Sequence, residues 1–162
     1  MDPIFEVYKQ ILRESIDLTN HKPKHTKKDK QAHLSKKLYK KIQDYIDSGS
    51  QGDLDLSNTP ITSLPDNLEV GGDLDLSNTP ITSLPDNLKV NGGLDLSRTP
   101  ITSLPDNLEV GGSLYLSRTP ITSPPDNLQI GGYLDLSNTP ISKKYTKEEL
   151  KRMLPGVRGI YI

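Results

Sequence analysis

Gly72-Asp73-Leu74-Asp75-Leu76-Ser77-Asn78-Thr79-Pro80-Ile81-Thr82-Ser83-Leu84-Pro85-Asp86-Asn87-Leu88-Lys89-Val90-Asn91 is one copy of a unit that runs four full times and a fifth half between Gly52 and Ile141. The period is 20 residues without a slip. Leu54, Leu74, Leu94, Leu114 and Leu134 share one position, and Pro60, Pro80, Pro100, Pro120 and Pro140 another. A fixed period of this length marks a solenoid, in which each coil touches only its neighbours. Asp73 to Ser77 alternates polar and apolar residues, the pattern of a half-buried strand. Leu74 and Leu76 then point inward, and Asp73, Asp75 and Ser77 outward. Asn78-Thr79-Pro80 turns the chain. Ile81 and Leu84 point in, Pro85 with Asp86-Asn87 turns the far side, and Leu88 and Val90 return to the core. Gly92 and its counterparts Gly52, Gly72, Gly112 and Gly132 permit the corner before the next strand. Six inward apolar groups return less than the ordering of a 20-residue coil costs, so a lone coil does not stand and a stack does.

The unit Leu74-Asp75-Leu76-Ser77-Asn78-Thr79-Pro80-Ile81-Thr82-Ser83-Leu84-Pro85-Asp86-Asn87-Leu88 resembles a leucine-rich repeat, LxLxxNxLxxLPxxL. The short period and the Leu-Pro step are similar to the bacterial type found in secreted effectors. Near-identical arrays also resemble uncharacterised proteins of tailed bacteriophages. The resemblance covers residues 52–141 and implies an α/β solenoid, curved and right-handed, with its parallel sheet on the concave face. The family's Asn is replaced by Thr59, Thr79, Thr99, Thr119 and Thr139, whose hydroxyls can donate and accept in a similar ladder. Some effectors of this type carry a ubiquitin ligase with a catalytic cysteine; this chain has no cysteine, so that activity does not carry over. The alternative fold is a regular parallel β-helix, with the Ile81 and Leu88–Val90 stretches as further strands. Pro85 and the Asp-Asn turn weigh against it.

Composition agrees with a narrow core. Only 32% of the 162 residues are hydrophobic, with one Phe and no Trp. Without cysteine, disulfides, thiolate metal sites and cysteine nucleophiles are excluded. No segment approaches the length of a membrane-spanning helix, and Met1–Ser15 lacks the basic start and apolar run of a secretory signal. A soluble cytoplasmic protein is expected. The net charge of −1 hides an asymmetry: residues 1–49 hold 11 Lys+Arg against 7 Asp+Glu, residues 50–141 hold 3 against 12, and residues 142–162 hold 6 against 2. We therefore divide the chain into a lysine-rich helical N-terminal cap (1–49), the repeat array (50–141) and a C-terminal cap (142–162).

Asp2-Pro3 is a helix start, and Ile4, Val7, Tyr8, Ile11 and Leu12 follow at helical spacing, which predicts a helix over 3–17. A second amphipathic helix is predicted from about Lys28 to Asp47, with Leu34, Leu38, Tyr39, Ile42, Tyr45 and Ile46 on one face. Its purpose is to cover the apolar edge that a first coil leaves bare. At the other end, Thr146-Lys147-Glu148-Glu149 is a capping box. It opens a helix over Lys147–Leu154, stopped by Pro155-Gly156, after which Ile160-Tyr161-Ile162 repeats the beat of Leu134-Asp135-Leu136 as a sixth strand.

Chemistry-bearing clusters are few. Lys22, Lys24, Lys27, Lys28, Lys30, Lys36, Lys37, Lys40 and Lys41, with only Asp29 against them, could grip phosphates. The stretch has no Arg and one aromatic, so any nucleic-acid binding there would be non-specific, and a solvated face is the simpler reading. His21 and His25 stand four apart, but Pro23 breaks the helix that would align them, and no acid completes a set. No metal, cofactor or small-molecule substrate is expected, and no membrane partner.

The informative positions are those where the copies differ. The outward strand positions read Asp53, Asp73, Gly93, Ser113, Tyr133, and then Asp55, Asp75, Asp95, Tyr115, Asp135; past the strand come Asn58, Asn78, Arg98, Arg118, Asn138. Asp55, Asp75 and Asp95 should stack as a ladder of like charges. Tyr115 and Tyr133 should share an outward face, flanked by Arg98 and Arg118, and Tyr and Arg are the residues enriched at binding hot spots. The expected function is a non-enzymatic protein–protein interaction module, a bacteriophage-encoded inhibitor or adaptor being one such role. It would bind an unidentified protein partner through Arg98, Tyr115, Arg118, Tyr133, Asp55, Asp75 and Asp95. The alternatives are nucleic-acid association through residues 22–41, or an acidic mimic of nucleic acid. No glycine-rich phosphate loop and no Ser/His/Asp grouping points to an enzyme.

Overall fold

Each 20-residue unit folds as one turn of a β-solenoid, and two parallel sheets run the length of the stack. A computed structural model describes residues 27–105, 108–123 and 128–162, with side chains at 34 and from 36 onward. The expected helix over 3–17, His21, Lys22, Lys24, His25 and Pro124 lie outside the described residues. The chain divides into two units, Met1–Asp44 and Tyr45–Ile162.

The described part of the first unit is helix α1, Lys27–Asp47, whose last residues from Tyr45 belong to the second unit. Leu38, Ile42 and Tyr45 are buried at helical spacing, while Leu34 is exposed. Lys40 and Asp44, one turn apart and 2.8 Å between charged atoms, form an exposed ion pair.

In the second unit, the strands are β1 (Leu54–Asp55), β2 (Glu69–Val70), β3 (Leu74–Asp75), β4 (Lys89–Val90), β5 (Leu94–Asp95), β6 (Glu109–Val110), β7 (Leu114–Tyr115), β8 (Gln129–Ile130), β9 (Tyr133–Asp135) and β10 (Gly159–Tyr161). The six-stranded sheet runs β1-β3-β5-β7-β9-β10, and the four-stranded sheet β2-β4-β6-β8. Pairing advances by one period: Leu54 stands beside Leu74, Leu74 beside Leu94, and Leu94 beside Leu114. The inward set is as the alternation requires. Leu74, Leu76, Ile81, Leu84, Leu88 and Val90 are all buried, as are their described counterparts in the other full coils except Leu128, which is half-buried.

The four-stranded sheet departs from the single-sheet expectation. The Leu88–Val90 stretch pairs from coil to coil, as the rejected alternative required. The reason is local: Pro85 and the Asp86-Asn87 turn lie upstream of the strand and need not enter its ladder, so the chain is extended again by Leu88. Asn67 and Asn87 hold that turn with φ of +56° and +58°, and Asn87 Nδ2 donates to Asn67 Oδ1 at 3.3 Å. The Ile81 stretch forms no strand, and Pro80 before it has no N–H to give a ladder.

The corner glycines serve a purpose other than left-handed backbone. Among them only Gly52 has positive φ. At Gly92 a Cβ would lie 2.6 Å from the Gly72 carbonyl carbon, and Gly92 N–H donates to Gly72 O at 2.9 Å. Coils meet there backbone to backbone, and a side chain does not fit.

The threonines bond the backbone of the turn, as expected of them. Thr79, Thr99, Thr119 and Thr139 are buried, and each hydroxyl donates within its own coil, to the carbonyl of Leu76, Leu96, Leu116 or Leu136 at 2.5–2.7 Å. Such a bond satisfies the hydroxyl and closes the turn after each strand.

At the start of the array, the Tyr45 hydroxyl lies 2.8 Å from Ser50 O and 2.9 Å from Gly52 O, and accepts the Gly71 N–H at 3.0 Å. At the end, a short helix α2, Pro140–Lys144, precedes α3, Lys147–Met153. Helix α2 has no counterpart in the sequence reading; Thr139 caps it and Pro140 sits at its first turn. The Thr146–Glu149 capping box of α3 is present in both directions. Leu150 and Leu154 are buried, and β10 adds to β9 in parallel as the sixth strand. No described helix is long and apolar enough to cross a membrane.

Candidate functional site

The outward face of the six-stranded sheet carries the candidate residues. In register, Asp55 stands beside Asp75, Asp75 beside Asp95, Asp95 beside Tyr115, and Tyr115 beside Asp135. The aspartates therefore do stack one strand spacing apart. Each also has a partner in its own coil: Oδ1 of Asp55, Asp75, Asp95 and Asp135 accepts the N–H of Ser57, Ser77, Ser97 and Ser137 at 2.8–2.9 Å. This is an Asx turn, in which the carboxylate ends the strand and starts the bend. Part of the like-charge cost is thus offset by a charge-assisted bond in each coil.

Tyr115 and Tyr133 lie on adjacent strands and on one face, but not side by side. Tyr115 faces Asp135, and Tyr133 faces Gly159. Tyr133 packs instead on Tyr161, with ring centroids 5.8 Å apart. Lys147 Nζ lies 5.8 Å from the centroid of the Tyr161 ring. All three rings are substantially exposed, Tyr115 at 43%, Tyr133 at 47% and Tyr161 at 55%. Tyr161 was absent from the expected site. Its signal was available, since the Ile160-Tyr161-Ile162 beat places it outward on the next strand.

Arg98 and Arg118 occupy the bend after β5 and β7. Thr99 N–H donates to Leu96 O, and Thr119 N–H to Leu116 O, both at 3.2 Å. The third residue of each turn has positive φ: Arg98 +59° and Arg118 +60°, where Asn58, Asn78 and Asn138 have +54°, +55° and +61°. A turn of this kind prefers Gly or Asn at that place. Both arginines line a shallow polar groove of about 390 Å³ with Asp95, Asp135 and the serines and asparagines of the same rows, and neither tyrosine lines it. The Ser117 hydroxyl donates to Ser97 Oγ at 3.1 Å along its floor. The face thus holds two patches, an arginine groove and a tyrosine cluster nearer β10, rather than one.

Among the lysines of the N-terminal stretch, Lys36, Lys37, Lys40 and Lys41 are exposed on α1, with Lys40 held by Asp44. Lys27 and Lys28 lie in the helix without described side chains, and Lys22 and Lys24 lie outside the described residues. Among the described residues no group of three or more His, Asp or Glu side chains is arranged to hold a metal ion. Comparison with protein-family models, with curated proteins and with solved structures finds no match to this chain.

Proposed function

We propose that the chain is a non-enzymatic protein-interaction module that binds a partner protein on the outward face of its six-stranded sheet. One observation carries this reading: Tyr115, Tyr133 and Tyr161 are exposed on a face whose other strand positions are Asp, Ser or Gly. Exposed tyrosine supplies large, stiff, amphipathic contact area at little entropic cost, and tyrosine and arginine, here in two patches of one face, are the residues enriched at interface hot spots. The finer architecture belongs to the same proposal. The array is a leucine-rich repeat of the short bacterial or bacteriophage type, with residues 1–49 and 142–162 as its caps. An inhibitor or adaptor role fits a scaffold whose constant positions serve packing alone.

The test is a double substitution, Tyr115→Ala with Tyr133→Ala. Both rings are exposed, so the coils should melt as before. Crosslinking capture from the native cell should lose its principal partner. An unchanged set of captured proteins would reject the face.

A further inference from the structure

We propose that Arg98 and Arg118 recognise carboxylates, and that the partner segment lying over them carries an acidic pair flanked by basic residues. The inference rests on the reading of this sheet face as a binding surface and names the chemistry of its occupant.

Three observations converge. First, both arginines stand at positive φ, where the other three coils have asparagine at the same turn position. Side chains other than Gly, Asn and Asp are disfavoured in that conformation. Two such residues on successive coils work against the turn and gain nothing in packing, since both are exposed. Second, successive coils lie about 4.8 Å apart, so the two turns bring like charges together with no described acid within ion-pair distance of either. Asp95 and Asp135 line the same groove, but each directs Oδ1 into its own turn toward Ser97 or Ser137. Third, the coil that carries Arg118 is the one coil of five in which the ladder aspartate is replaced, by Tyr115. The acidic face is therefore interrupted where the second guanidinium stands.

Along the stack the turn row is charged at Arg98 and Arg118 and neutral at Asn78 and Asn138, while the strand row beside it is negative at Asp75, Asp95 and Asp135, with Asp75 and Asp135 flanking the two arginine coils. The complement is an extended segment with the order basic, acidic, acidic, basic. Arginine forks match carboxylates geometrically, and the flanking aspartates would repel a segment that was acidic throughout. A dianionic phosphate would meet the same repulsion more strongly, which favours the carboxylate.

The experiment uses two labelled peptides of identical composition, Lys-Gly-Glu-Gly-Glu-Gly-Lys and Glu-Gly-Lys-Gly-Lys-Gly-Glu, titrated with the full chain by fluorescence polarisation. Equal net charge removes non-specific attraction to the lysines of α1. The wild type should prefer the first peptide by about tenfold or more. The Arg98→Asn/Arg118→Asn variant, which adopts the residue of the other coils, should fold normally by circular dichroism and lose the preference. A wild type with no preference, or a preference that survives in the asparagine variant, overturns the proposal. Either failure leaves the sheet face itself to be judged by the tyrosine substitutions, whose capture assay does not depend on carboxylate recognition.

Discussion

Asp73 Oδ1 accepts the backbone N–H of Gly93, 20 residues on, at 2.6 Å. The same row holds Asp53 Oδ1 accepting from Asp73 N–H at 2.8 Å, and Ser113 Oγ accepting from Tyr133 N–H at 3.1 Å. A side chain on one coil thus satisfies the backbone of the next. Gly93 receives this bond and passes none to Ser113, because it has no side chain. Its φ is not positive. A Cβ there would lie 3.2 Å from Ser113 O and 3.5 Å from Asp73 Oδ1, so a shift of a few tenths of an ångström makes room for it. Gly93→Asp should therefore complete the row and stabilise the array by about 1 kcal/mol, from one added hydrogen bond and reduced unfolded-state freedom. Urea denaturation of the two proteins measures it.

Tyr45 makes a cruder substitute for a missing coil. Its hydroxyl takes the Gly71 N–H, which Ser50 O also accepts at 2.9 Å. Tyr45→Phe removes one of two partners and should cost about 0.5–1.5 kcal/mol. Tyr45→Ala also removes a buried ring and should cost about 3–5 kcal/mol. A urea series on both variants separates the hydroxyl from the ring.

Arg98→Asn and Arg118→Asn should each raise stability, by roughly 0.5–1 kcal/mol, because asparagine tolerates the left-handed turn. Most substitutions destabilise, so a gain from removing two arginines would be informative by its sign alone. Thermal melting of the single and double variants reads it, and near-neighbour coupling appears as departure from additivity.

Glu149 is held below its ordinary value of 4.5, first by the Thr146 backbone N–H and then by the Thr146 hydroxyl. The Glu149 carboxylate accepts from Thr146 N at 2.7 Å. A depressed acid contributes stability above its unfolded value and loses it as pH falls toward the folded one. The start of α3 should therefore loosen as pH drops below about 4.5, and Glu149→Gln should remove that dependence. Exchange of the Thr146 amide, followed by NMR between neutral and acid pH, checks both.

The period, the inward leucines, the capping box and the terminal strand were legible because each is a local rule repeated in register. Thr146 to Glu149 is readable from four letters, and Leu74 and Leu76 from alternation. The second sheet was legible only in the alternative, the parallel β-helix with Leu88–Val90 as a strand, because Pro85 and the Asp-Asn turn weighed against it. Its pairing, as between Val70 and Val90, arises when coils stack. The positions of Tyr115, Tyr133, Arg98 and Arg118 on one side of the stack followed from their place in the repeat. What did not follow was their separation into two patches. Register sets Tyr133 beside Gly159 rather than Tyr115, and positive φ turns the arginines into the bend. The aspartates were legible as a charged ladder, but their bonds to Ser57, Ser77, Ser97 and Ser137 need backbone geometry that composition does not carry.

Each coil gives the next the same set of bonds at the same places: Leu54 N–H to Asp73 O, Leu74 N–H to Gly93 O, Leu94 N–H to Ser113 O. Length is therefore a quantised variable for this molecule. Recombination between near-identical copies could delete or add a whole coil and leave every remaining seam chemically familiar, whereas loss of a single residue would turn strands inside out. The adjacent arginine coils would survive such events as a pair unless a crossover fell between them. A lineage could thus lengthen the stack and keep the arginine pair.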